Sequence, residues 1–189
     1  MSFHYQLVAL PLSDLVAVYS SRDDALLARL LTTQDRYVAY LLEAPERHDA
    51  LVDLLVGGCM RSCSRPHHSG YAVEAICFEL GGRLGSLTSR DVDRVEQQLD
   101  WSGAPFELFP DVGASWPLPI RDTPDLPLVG VLSTAQSAER GAALAAARYV
   151  DDDTIDDGER FLRTEALESA QRMFASAVRA GTEAIVFFH

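Results

Sequence analysis

The residues best equipped for chemistry are gathered in one loop, residues 57–70, which reads Gly-Gly-Cys-Met-Arg-Ser-Cys-Ser-Arg-Pro-His-His-Ser-Gly. It holds Cys59, Cys63, His67, His68, Arg61 and Arg65, and it contains no acid in a chain that has 28. Three readings compete. Thiolates and imidazoles are zinc ligands, so Cys59, Cys63, His67 and His68 form a candidate metal site. Their spacing departs from two separated pairs, and adjacent His67 and His68 would strain to reach one tetrahedral ion. Three of the four with a water is the better geometry. Alternatively, Arg61, Arg65 and His67 or His68 converge with Ser69 on a carboxylate or phosphate. Ser69-Gly70 would then lie just before a helix whose first N–H groups are unpaired and partly positive. The same field would lower the pKa of Cys63 and make it reactive. The plainest reading is a solvated loop carrying two incidental thiols. Cys77, between Ile76 and Phe78 in an apolar run, reads as a small core residue.

A second polar cluster, Asp151-Asp152-Asp153-Thr154-Ile155-Asp156-Asp157-Gly158-Glu159, invites a calcium reading. Setting Asp153 as the first ligand puts Ile155 at the third loop position and Thr164 where a bidentate Glu is needed, so an EF-hand is rejected. The segment reads as a solvated acidic connector whose last charges favour the next helix N-terminus. Its functional alternative is a docking surface for a basic protein.

Other chemistries are excluded by absence. All 16 basic residues are Arg. Without lysine there is no Schiff base, P-loop or Ser-Lys dyad. Without asparagine there is no glycosylation acceptor and no Cys-His-Asn triad. No Gly-x-Ser-x-Gly elbow occurs, and Gly81, Gly82 and Gly85 follow a helical pattern where a dinucleotide fold needs a strand. Trp101 and Trp116 read as packing anchors rather than stacking platforms.

The formal net charge of −12 opposes phosphate backbones, so nucleic acid is not an expected partner, whereas a basic protein is. No apolar run approaches 18 residues, and residues 1–5 lack a basic, signal-like start. A membrane is not expected and a cytoplasmic location is. Three cysteines are too few for a disulfide scaffold and suit a reducing compartment.

The elements that must position these residues follow from periodicity. An apolar run over residues 5–10, ended by Pro11, reads as a strand. Ser13-Asp14 would cap a short helix, and Ser21 with Asp24 resembles a capping box ahead of Leu26, Leu27, Leu30 and Leu31. Tyr37, Val38, Leu41 and Leu42 continue helical packing, and a helix from Pro45 carries Leu51, Leu54 and Leu55 until Gly57-Gly58. Residues 71–80 form an apolar helix closed by Gly81-Gly82, and another begins near Ser89 with Val92, Val95 and Leu99. Six prolines within residues 103–128 forbid a helix there. Phe106, Leu108, Phe109, Trp116 and Leu118 make this segment an ordered strap rather than a linker. A strand over 128–132 follows. Ser133 with Gln136 boxes an Ala-rich helix, and a long helix over 159–180 carries Leu162, Ala166, Ala170, Phe174 and Ala177. Gly181 is its C-cap, and residues 184–188 form a strand covered on both faces.

Three stretches together resemble a known family: Leu54-Leu55-Val56-Gly57-Gly58 with Gly81-Gly82-Arg83-Leu84-Gly85; Val129-Gly130-Val131-Leu132-Ser133-Thr134-Ala135; and the final helix through Ala180-Gly181-Thr182-Glu183-Ala184-Ile185-Val186-Phe187-Phe188. They are similar to the YfbM-like family of small uncharacterised bacterial proteins, in an actinobacterial-type form. The resemblance implies a compact α+β domain without an assigned activity and supplies no catalytic residues. The expected architecture is a single α+β domain over residues 1–189. A small mixed sheet, its terminal strands paired centrally, is wrapped by six to seven helices. The expected function is non-enzymatic protein binding of an immunity- or inhibitor-like kind, without a cofactor. The alternative is a small-molecule or anion binder, or an enzyme, built on residues 59–68 with or without zinc.

Overall fold

In a computed structural model, residues 3–56, 67–110, 112–113, 127–151 and 154–189 are described, His67 by its backbone alone. They form eight helices and four strands in one α+β unit. The strands are β1 (His4–Ala9), β2 (Gly82–Thr88), β3 (Leu128–Leu132) and β4 (Ala184–Phe188), in the order β2-β1-β4-β3. The first and last strands therefore pair at the centre, as their two-sided apolar character predicts. Every described pairing is antiparallel, so the sheet is not mixed.

The alternation of side chains along each strand divides the core in two. Val8, Val129, Ile185 and Phe187 point to one face. There they meet α1 (Leu12–Val18), α2 (Asp24–Leu31), α3 (Arg36–Leu41), α4 (Pro45–Val56) and α5 (His67–Leu80). Leu7, Leu132, Ala184 and Val186 point to the other face. That face is covered by α6 (Ser89–Trp101), α7 (Thr134–Ala146) and α8 (Asp157–Ala180). The described part of the strap seals the second core. Leu108 and Phe109 are buried, and Tyr5, Phe109 and Phe174 stack in series at 4.6 and 6.0 Å. Trp116 and Leu118 lie outside the described residues.

Strand β2 is the element that periodicity misses. Gly81-Gly82 closes α5 as expected, but the chain then runs directly back along β1. A bulge between Leu7 and Val8 sets Gly85 opposite Leu7 and Arg83 opposite Val8. Gly85 occupies φ +141°, against the Met173 side chain. The extra residue on β2 shifts the alternation of side chains by one position, and Arg83 lands on the α3–α5 face. Gly81 is fixed by close approach. A Cβ there would lie 2.5 Å from Val8 Cγ1 and 2.7 Å from the Ala9 carbonyl oxygen.

Helix ends follow local chemistry, with shifts of a few residues. The Ser133–Gln136 capping box and the left-handed Gly181 stand as expected. In contrast, α1 starts after Pro11 without a side-chain cap, and Asp23 rather than Ser21 caps α2 by accepting from the Leu26 N–H. On α8 the buried stripe is Ala166, Leu167, Ala170, Met173, Phe174 and Ala177, while Leu162 is exposed.

Candidate functional site

Helix α5 is the central helix of its layer. Ala72, Val73, Ala75, Ile76 and Cys77 are all buried, as expected of a helix that is apolar nearly all round. In the middle of this run stands Glu74, which is 0% exposed. Taking a carboxylate out of water costs several kcal/mol unless it is well paired, so its partners decide its meaning.

Two groups meet one of its oxygens. The Tyr37 hydroxyl donates to Glu74 Oε1 at 2.7 Å, and His189 Nε2 lies 2.9 Å from the same atom. Glu74 Oε2 is buried and has no hydrogen-bond partner among the described residues. Tyr37 is placed by its own helix start. Asp35 caps α3 by accepting from the Tyr37 and Val38 N–H groups, and its other oxygen takes Arg83 Nη2 at 2.6 Å. That arginine is the one the bulge turns to this face, and its guanidinium lies 4.6 Å from the Phe78 ring centroid. The Arg83 contact holds the Asp35 carboxyl below its ordinary range, with the two capping N–H groups adding to it.

The sheet supplies the other side of the cluster. His4 and His189 exchange backbone hydrogen bonds across β1 and β4, and their rings stack at 5.2 Å. Gln6, two residues along the same face, donates through Nε2 to the Tyr37 oxygen and approaches His4 Nε2 at 3.3 Å. An amide nitrogen only donates, so this contact requires an unprotonated His4 Nε2. A continuous series therefore runs His4, Gln6, Tyr37, Glu74, His189. Tyr71 closes the rim, 5.9 Å from the His189 ring, and carries the Arg47 guanidinium 3.7 Å above its centroid. Arg47 Nη1 donates to the Tyr40 and Leu41 carbonyls, both at 3.1 Å.

The electrostatics follow from burial and from Glu74. Burial pushes the Tyr37 hydroxyl far above the ordinary tyrosine range, and the adjacent Glu74 pushes it further. Tyr37 is thus a hydrogen-bond donor throughout the working pH range and never a phenolate. Burial likewise raises the Cys77 thiol, again with Glu74 adding to it. This confirms the core role expected of Cys77 and makes it a poor nucleophile.

The loop residues singled out by composition are placed only in part. Cys59, Arg61, Cys63 and Arg65 lie outside the described residues. Helix α5 begins at His67, earlier than residue 71, so Ser69 and Gly70 belong to its first turns instead of preceding it. Ser69 is fully buried and His68 nearly so, and both hold partners. The expected geometry, with Ser69 just ahead of open helix N–H groups, is therefore replaced. Among the described residues no group of three His, Cys, Asp or Glu side chains is arranged to hold a metal. The acidic connector, in its described part, is paired: Arg160 takes Asp151 at 2.9 Å and Asp157 at 3.3 Å.

Glu74, Tyr37, Gln6, His4 and His189 escaped sequence reasoning. One signal was present, an acid inside the apolar run Tyr-Ala-Val-Glu-Ala-Ile-Cys-Phe at residues 71–78. Nothing local links it to His189, 115 positions away.

Fold and site together define a class: an α+β domain with a central antiparallel sheet and a buried carboxylate beneath a polar, aromatic rim. More particularly, the chain belongs to the family described as a domain of unknown function, DUF7691, whose model matches residues 1–189. The match carries no link to the YfbM-like proteins. No curated protein and no solved structure matches the chain. No helix among the described residues is long and apolar enough to cross a membrane.

Proposed function

We propose that this protein binds a small molecule at the Glu74 site, with the hydrogen-bonded Glu74 and His189 at its floor. One observation carries the reading: a fully buried carboxylate leaves one oxygen without a partner among the described residues. Buried polar atoms are nearly always satisfied, and a buried charge is retained where it serves more than stability. The half-buried Tyr37, Tyr71, Gln6, His4 and His189 give the site a rim that reaches solvent.

Glu74→Gln tests this. The amide oxygen still accepts from Tyr37 and His189, while the buried charge is gone. Stability at neutral pH is expected to stay within about 1 kcal/mol of the parent or to rise, as at sites where function opposes stability. Any small molecule that native mass spectrometry finds on the parent should be absent from the variant. A loss of about 3 kcal/mol or more, the cost of breaking a structural buried pair, would assign Glu74 to the fold and end the proposal.

A second reading is the non-enzymatic protein-binding domain, immunity- or inhibitor-like, with a basic partner and a cytoplasmic setting. Its support is the net charge of −12. Part of that charge is already engaged in internal pairs such as Asp151 and Asp157 with Arg160. Failure to retain any basic partner at low ionic strength, where such attraction is strongest, would remove its motive.

A further inference from the structure

We infer that the group received by Glu74 is an ammonium, so that the ligand class is a small organic amine; this rests on the ligand-site reading above. Three observations converge on it. The first is hydrogen-bonding sense. An ionised carboxylate only accepts, and both described neighbours are occupied on Oε1, so Oε2 calls for a donor. The second is the shortage of cations. The chain has no lysine, and neither arginine against this rim pairs with Glu74: Arg83 takes Asp35, and Arg47 donates through Nη1 to the Tyr40 and Leu41 carbonyls while its buried Nε has no partner among the described residues. Among the described residues His189 is the one basic side chain within ion-pair distance of Glu74, and it sits on Oε1. An amine ligand would stand where a lysine head-group would otherwise pair. The third is the surroundings. The rings of this rim already stand against cations, Arg47 at 3.7 Å from the Tyr71 centroid and Arg83 at 4.6 Å from that of Phe78, as ring quadrupoles favour. An anionic ligand would instead meet Glu74 with like charge at hydrogen-bond range. The net charge of −12 also concentrates cations near the surface.

The test uses the whole chain, labelled for amide NMR, with three probes of similar size: n-butylammonium, butyrate and butanol. Saturable shifts at Gln6, Tyr37 and Tyr71 with n-butylammonium alone are the expected result. Glu74→Gln is expected to weaken that binding at least about tenfold. The comparison among probes on the parent protein does not depend on that variant folding. Equal or tighter saturation of the same resonances by butyrate or butanol would overturn the ammonium assignment and leave the ligand site standing. Silence of these resonances with all three probes would overturn both.

Discussion

The two faces of the sheet each carry a glutamate with a histidine or arginine beside it, and the two are built to opposite rules. On the α6–α8 face, Glu159 is partly exposed and saturated. Arg94 reaches it at 3.0 and 2.8 Å through two nitrogens, and Arg163 at 3.1 Å. Of the other polar groups on that face, Gln98 and Arg140 are buried with partners, whereas the buried Ser137 Oγ and Arg163 Nη1 have none among the described residues. Gln98 exchanges hydrogen bonds with the backbone of Val150, and Arg140 donates to the Leu108 carbonyl at 2.8 Å. On the α1–α5 face, Glu74 is fully buried, with no arginine partner and one oxygen unpaired among the described residues. The first arrangement ties helices together at little desolvation cost. The second buries a carboxylate fully and leaves one of its oxygens without a partner among the described residues. Stability favours the former, and the latter is the arrangement on which the proposal of a ligand site rests.

That contrast concerns polar groups only, so the apolar cores should respond alike. Phe174→Ala on the α8 face and Leu54→Ala on the α4 face are expected to cost about 4 and about 3 kcal/mol, read from urea denaturation. A much smaller loss for Leu54→Ala would mean that the first layer is loosely packed, and the difference between faces would then extend beyond Glu74. Gly81→Ala should cost about 3 kcal/mol, because its Cβ would press on Val8 and on two carbonyl oxygens that cannot yield. A neutral result would show that the α5–β2 junction relaxes freely, and the placement of Glu74 with it.

Glu159→Gln should cost about 1 kcal/mol at neutral pH, in line with partly exposed pairs. Arg94, and then Arg163, hold the Glu159 carboxyl down to about 2 from an ordinary 4.5. Because the folded value is depressed, the contribution is complete above the unfolded value and is lost as pH falls through about 2. Parent and variant should therefore converge in urea midpoint between about pH 4.5 and 2. A constant gap across that range would remove Glu159 from the ionic account. Smaller or similar in size, Ser133→Ala is expected to cost about 1 kcal/mol through the lost cap, measured by the same midpoints.

Much of this contrast was hidden from sequence reading, for a physical reason. The Ser133–Gln136 box, Gly181 and the stripe on α8 were legible because capping and periodicity depend on residues within one or two turns. The boundary of α5 was less so. Its first turn, His67 to Gly70, carries loop-like residues that only burial against the core makes helical. Periodicity leaves strand β2 unassigned between the Gly81-Gly82 stop and Ser89, since Gly82, Gly85 and Ser86 lack strand character and are held by pairing to β1. At the site, composition pointed to the Cys- and His-rich loop, whereas the described geometry converges on Glu74, two turns of helix beyond His67.

Composition alone determined what this protein does without: no lysine, no asparagine, and a net charge of −12, each of which removes whole mechanisms whatever the fold. Local pattern determined most helices and their ends. The central pairing of the two terminal strands was legible in their apolar character; tertiary structure alone decided the register and packing by which His4, Gln6 and His189 meet Tyr37 above Glu74. A hydrogen bond spanning 115 positions leaves no trace in a periodicity of 2 or 3.6. Burial is likewise a property of the packed layers, and it is burial that sets Glu74 apart from the other described acids.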